Sequence, residues 1–165
     1  MDPLARRYGK MNKGRHAMRY VEAGSEQLPF DTAHFDIVTT FNSLDHVEDV
    51  GAAVAEAQRV LAPGGTLLLI VEVGHKATLT EPHSLDETIA ACFSQVNEVS
   101  REVFGVRDDH NLYGSISERK VRQKPTDPGI LCIRFEKPVA STGKSYAQNL
   151  VKANTSTETQ GLQCL

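Results

Sequence analysis

Long apolar runs are missing from this sequence: none approaches the roughly 18 residues that a membrane-spanning helix needs. The N-terminal stretch MDPLARRYGKMNKGRH has no apolar centre, which excludes a secretory signal of the usual kind. Its basic residues alone do not make a transit peptide, and Asp2 argues against one. Cysteine is sparse and scattered. Cys92, Cys132 and Cys164 show no CxxC or CxxH spacing, so neither a zinc site nor a disulfide framework is expected. A strong charge of one sign is missing too. A formal net charge of −3 gives no overall attraction to nucleic acid or anionic membranes, and neither is expected as a partner. What remains is the profile of a cytoplasmic chain. Its 165 residues, 40% hydrophobic against 24% charged, suffice for one modest core.

The clearest element present is TLLLIVEV, residues 66–73. Its near-continuous apolar run predicts a strand buried on both faces, as in a parallel sheet covered by helices. In the preceding DVGAAVAEAQRVLAPGG, Val50, Val54, Ala57 and Leu61 make one helical stripe, with Glu56 and Arg59 off it. Asp49 is placed to cap the start, and Pro63-Gly64-Gly65 to end the helix in a turn. Upstream, FDIVTTFNSLDHVED begins as a β-branched, buried-strand pattern and then presents Asn42, Ser43, Asp45 and His46. Residues 35–73 therefore read as a βαβ unit with a right-handed crossover.

The flanks are less regular. A short amphipathic helix is expected around Leu4, Tyr8 and Met11, and a short strand over 18–22. SLDETIAACF, residues 84–93, starts with a capping-box-like Ser84 and Glu87 and predicts a helix. NEVSREVF (97–104) and GILCIRFEK (129–137) predict two further strands. From residue 138 onward the polar, Ser/Thr/Asn/Gln-rich chain has too little apolar content to pack, so the expected division is a folded unit over 1–137 and a disordered tail over 138–165.

In an open α/β sheet, ligands bind beyond the carboxyl ends of parallel strands, where Asn42, Ser43, Asp45 and His46 lie. Here the residues carry a likeness. The stretch EAGSEQLPF, then FDIV, a polar loop ending near His46, and a helix closing on RVLAPGG resembles the central half of a class I S-adenosylmethionine-dependent methyltransferase of the broad type 11 group. The match is close over 21–73 and looser through 130–137. It implies an α/β fold with a partial Rossmann-like sheet, mostly parallel with C-terminal antiparallel strands, and missing the first strand and helix. It implies S-adenosyl-L-methionine as cofactor and a small-molecule methyl acceptor.

Carried over residue by residue, the resemblance assigns cofactor contacts to Asp2 (ribose hydroxyls), to the turn Gly24-Ser25-Glu26 (adenine), and to Phe41 and Asn42 (the methionine portion). Gly24 stands where the family has an adenine-binding Asp. His46 faces the acceptor side and is the one catalytic candidate, as a base. The family's acidic residue followed by G-x-G-x-G is absent, since Gly9, Gly14 and Gly24 do not have that spacing. The resemblance thus implies an N-terminally truncated chain with impaired methyl transfer and exposed sheet edges open to self-association. The alternative is a degenerate, non-catalytic binding module of the same fold. An NAD-dependent oxidoreductase is disfavoured by the same missing glycine loop and by the lack of a Tyr-x-x-x-Lys pair. His75, Glu81 and His83 carry metal-ligating groups, but no helical i, i+4 pair fixes them, so no metal is expected and they read as lining for an acceptor pocket.

Overall fold

The computed structural model describes residues 19–139. Asp2, the expected helix around Leu4, Tyr8 and Met11, and the tail beyond 139 lie outside the described residues. Within them a β-strand, β1 (Phe35–Phe41), leads through a polar loop to α1 (Val50–Val60), which runs directly into β2 (Leu61–Val73). A 3-10 turn (Glu87–Cys92), β3 (Asn97–Gly105), a short α2 (Leu112–Ser117) and β4 (Gly129–Glu136) follow. The four strands form one open mixed sheet in the order β1-β2-β4-β3. β1 and β2 are parallel, as a strand–helix–strand crossover requires, and the other two pairings are antiparallel.

The predicted helix stripe is the packed face. Val50, Val54, Ala57 and Leu61 are buried, and the Asp49 carboxylate accepts the Ala52 N–H at 2.9 Å, satisfying a donor that the first turn leaves free. Against this stripe lie Leu67, Leu69, Val71 and Val73 of β2, and Leu131, Ile133 and Phe135 of β4, with Phe93 stacked on Phe135 at 4.8 Å. The core sits on this face of the sheet. On the opposite face, Ile37 is 64% exposed and Phe41 39%, beside Leu68 and Ile70, which are half-buried. The outer edge of β1 pairs with no described strand.

Several expectations are corrected. Residues 19–22 form no strand, and Tyr20 and Val21 are exposed. An extended segment becomes a strand only beside a neighbour that takes its backbone hydrogen bonds, and no described strand offers one here. The helix expected over 84–93 shrinks to the 3-10 turn. Ser84 Oγ donates instead to the His75 carbonyl, Asp86 takes the cap by accepting the Thr88 N–H, and Glu87 turns to Arg122 at 2.7 Å. A capping box needs both partners, and each is drawn away. Pro63-Gly64-Gly65 belongs to the beginning of β2 rather than to a free turn. Gly64 adopts φ +80°, Gly64 N–H donates to the Lys137 carbonyl and Lys137 N–H to the Gly65 carbonyl, tying this segment to the end of β4. The helix α2 carries no hydrophobic period long enough to announce it. Asn111 caps it by accepting the Gly114 N–H.

Candidate functional site

Two short sequence motifs become one piece of structure. Glu56 and Arg59, off the buried stripe of α1, point at the backbone of residues 28–32. Glu56 Oε2 accepts the Leu28 N–H at 2.7 Å, and Arg59 donates to the carbonyls of Leu28 (3.1 Å) and Phe30 (2.9 Å). The two side chains also bond each other, with Arg59 Nε 2.6 Å from Glu56 Oε1 and Nη2 2.8 Å from Oε2. Arg59 and the Leu28 N–H hold the Glu56 carboxyl down to about 2. The carbonyls of Leu-Pro-Phe in one motif and the arginine of Arg-Val-Leu-Ala-Pro-Gly-Gly in the other are thus acceptors and donor of one clamp, which fixes where the turn Gly24–Gln27 must lie.

That turn is closed by the Gln27 N–H on the Gly24 carbonyl at 3.2 Å. Its Glu26 side chain reaches across to the loop after β1, where Oε1 accepts the N–H groups of Glu48 at 2.9 Å and Asp49 at 3.5 Å. Its own backbone N–H and that of Glu48 hold this carboxyl below the ordinary carboxylate range. The result is a cleft of about 710 Å³ whose lining includes Gly24, Ser25, Glu26, Ser43, His46 and Ala52. At the strand end, Asn42 adopts φ 47°, a conformation that asparagine tolerates better than most residues, while its N–H continues the β1–β2 pairing by donating to the Ile70 carbonyl. Its Oδ1 is buried with no described hydrogen-bond partner.

Behind the cleft, Asp45 is 1% exposed. Two imidazoles approach it, His46 Nε2 at 3.8 Å from Oδ1 and His75 Nε2 at 3.8 Å from Oδ2. His75 follows Gly74, which ends β2 at φ +78°. The loop beyond it folds back on the cleft. His46 Nδ1 donates to the Thr80 carbonyl at 2.8 Å, and His83 bonds the Val47 carbonyl at 2.8 Å. A second cavity, of about 810 Å³, opens on the far side of His75 among Lys76, Arg107, Lys120 and Arg122.

The structure therefore gathers Gly24, Ser25, Glu26 and His46 around one cleft. The side chain of Phe41 is not with them. Alternation along β1 sends it to the open sheet face, into a hollow of about 350 Å³ with Leu68, Ile70 and Phe104. Asn42 stands at the turn between the two, and Asp2 lies outside the described residues. His75 lines the second cavity, whereas His83 is engaged in holding the loop. Sequence reasoning placed Asp45 only among the polar groups at the β1 tip and assigned no role to the side chains of Glu56 or Arg59. The acidic residue beside His46 was visible, but nothing in its spacing marked it as buried.

Residues 1–69 match the model of the family described as methyltransferase domain. Over 53 residues the chain is 49% identical to the ubiquinone/menaquinone biosynthesis C-methyltransferase UbiE of Shewanella piezotolerans, covering 32% of this chain and 21% of that protein. The chain spans about a fifth of the length of the curated relatives it matches. Among solved structures it is similar to the N-methyltransferase NodS of Bradyrhizobium japonicum in complex with S-adenosyl-L-homocysteine, with a TM-score of 0.57 and 19% identity over 84% of this chain and 63% of that one. It is similar also to the [4+2]-cyclase SpnF, with a TM-score of 0.60 and 18% identity over 82% of this chain and 62% of that one. At these identities the likeness is one of fold.

Proposed function

We propose that this chain, which belongs to the class I methyltransferase family, takes part in S-adenosylmethionine-dependent methyl transfer to a small-molecule acceptor. The observation that carries the reading is the Glu26 bridge. It joins the turn Gly24–Gln27 to the loop beyond β1, so that both sides of one cleft are presented at the carboxyl end of a parallel pair.

The residues present fit the cofactor in part. Asn42 Oδ1 is a buried acceptor awaiting a donor, and Gly24 keeps the cleft wall thin, since a Cβ there would come within 3.2 Å of Glu26 Oε2. The Glu26 carboxylate is engaged with backbone N–H groups and is not available for adenine. Gly24, Ser25 and the backbone of Phe41 and Asn42 would hold the cofactor, with Asp2 on its ribose. When bound, S-adenosylmethionine supplies an already activated methyl group on a sulfonium.

The work left to the chain is alignment of the acceptor and, where the nucleophile must lose a proton, its acceptance. His46 suits that second task. The Thr80 carbonyl takes its Nδ1–H at 2.8 Å, which leaves the lone pair on Nε2, 3.8 Å from Asp45 Oδ1. The names of the relatives, C-methyltransferases, support carbon as the accepting atom.

Because the Glu26 carboxylate is committed to backbone N–H groups and Gly24 offers no side-chain acceptor, S-adenosylmethionine is expected to bind the 165-residue chain weakly. The test is titration of the 15N-labelled chain with S-adenosylhomocysteine at millimolar concentration. Amide shifts should concentrate in residues 24–27 and 42–52. Shifts centred elsewhere defeat the proposed site, and low-micromolar affinity defeats the impairment. A second reading, a non-catalytic binding module that self-associates, is favoured by the edge of β1 that pairs with no described strand and by the exposed Ile37. A complete absence of adenosylhomocysteine shifts favours it.

A further inference from the structure

We propose that Asp45, His75 and Glu81 form a binding site for a divalent cation of the zinc class. The three come from separate parts of the chain: the loop after β1, the residue beyond Gly74 at the end of β2, and the loop that folds back over the cleft. One ligand atom from each lies within 4.8 Å of the others. Spacing along the chain gave no reason to expect this, because the parallel pairing of β1 and β2, not a helix, brings the residues together.

Three observations single the cluster out from an ordinary polar patch. First, His75 Nδ1 lies 3.1 Å from the Lys76 carbonyl, which can only accept, so the ring proton sits on Nδ1 and Nε2 carries a lone pair. Fixing one ring nitrogen on a backbone carbonyl is how metal-binding imidazoles are commonly oriented. Second, that Nε2 is buried without a hydrogen-bond partner and faces Asp45 Oδ2 at 3.8 Å, beyond hydrogen-bond range. With the imidazole neutral, two acceptors face each other there. Third, Asp45 is 1% exposed, its Oδ1 has no partner, and among the described residues no lysine or arginine ion-pairs with it. A buried carboxylate left so is costly, and a cation between it and the imidazole removes the cost.

The size is right for such an ion. Three atoms no more than 4.8 Å apart all lie within about 2.8 Å of a common centre, against the roughly 2.0–2.2 Å of zinc bonds to nitrogen and oxygen, so closing the site takes shifts of at most about 0.6–0.8 Å. Glu81 sits on a turn that can supply them, where its N–H donates to Thr78 Oγ1 and its carbonyl accepts the Thr78 N–H. The mixed imidazole and carboxylate set favours zinc over magnesium or calcium. Three protein ligands leave a coordination position open for water or a substrate oxygen, and His75 borders the larger cavity where such an oxygen would come from. The site stands whether or not the neighbouring cleft binds adenosylmethionine.

The test uses the full 165-residue chain, stripped with chelator and titrated with zinc in competition with a chromophoric chelator, alongside D45N and E81Q. One zinc per chain is expected, with affinity reduced about tenfold or more in each variant. Cobalt in place of zinc should give visible d–d bands and no sulfur charge-transfer band. Glu81 is only half-buried, so E81Q decides the matter if circular dichroism shows that D45N misfolds. No stoichiometric binding by the unaltered chain, undiminished affinity in E81Q, or a sulfur-to-cobalt band overturns the site.

Discussion

Replacing Glu56 by glutamine should loosen the segment that carries one wall of the cleft, by an amount that depends on pH. The Glu56 carboxylate accepts from Leu28 N–H and twice from Arg59, and these contacts take its carboxyl from 4.5 to about 2. A shift of that size corresponds to about 3.4 kcal/mol at full strength, since one unit is worth about 1.36 kcal/mol. The Glu56 side chain is 17% exposed, yet the pair lies near the surface and solvent screens it, which reduces the expected contribution to about 1–2 kcal/mol. Because the folded-state value is depressed, this stability is fully present above about pH 4.5 and is lost as pH falls toward 2. Urea unfolding of the parent chain and E56Q at pH 7 should therefore differ by about 1–2 kcal/mol, and the difference should shrink steadily between pH 4.5 and 2. Hydrogen exchange at the Leu28 amide gives a local readout, with protection falling in E56Q. A stability difference that stays constant from pH 7 to 2.5, or unchanged Leu28 protection, would refute the clamp.

Other substitutions probe the frame and its exposed face. A Cβ on Gly65 would lie 2.7 Å from Leu61 Cδ1 and 2.8 Å from the carbonyl oxygens of both Ala62 and Asp36, so G65A should destabilise by about 3 kcal/mol in denaturant titrations. Lys137 Nζ donates to the carbonyls of Gln58 (2.6 Å) and Leu61 (2.8 Å) where α1 passes into β2, and K137M should cost about 1.5 kcal/mol, read as a lower melting temperature. I37K places a charge at the open edge of the sheet. If copies of the chain associate there, sedimentation should show at least a tenfold weaker dimer with unchanged melting temperature, and equal association by both chains would locate the contact elsewhere.

How much of this was legible beforehand follows from the range of the interactions. The order of elements over residues 35–73 could be read directly because each signal there is local: a β-branched run, a helical stripe and an Asp cap. The burial expected of β1 could not, since only Thr40 of that strand is buried. The helix at 84–93 failed for the opposite reason. Its local cap residues were right for a helix, but Ser84 and Glu87 found better partners at His75 and Arg122, outside the predicted helix. Residues 19–22 form no strand with the described sheet, a matter of tertiary neighbours that no local signal carries. In the cleft, Glu26 was named from its likeness to an adenine loop, and the structure gives its carboxylate a different task, bridging to Glu48 and Asp49.

By itself the amino-acid sequence determined the strand–helix–strand unit, the buried stripe of α1 and the polar character of the β1 tip, since spacing and side-chain type settle which faces can leave water. Only the tertiary structure decided that Arg59 grips the backbone of Leu28 and Phe30, that Glu26 closes on the loop before α1, and that Asp45, His75 and Glu81 meet. Those meetings depend on how β1 and β2 lie side by side and on which loop folds back over their ends. No periodicity along the chain encodes such an arrangement, because the partners are separated by stretches whose path is set by the packing of everything between them.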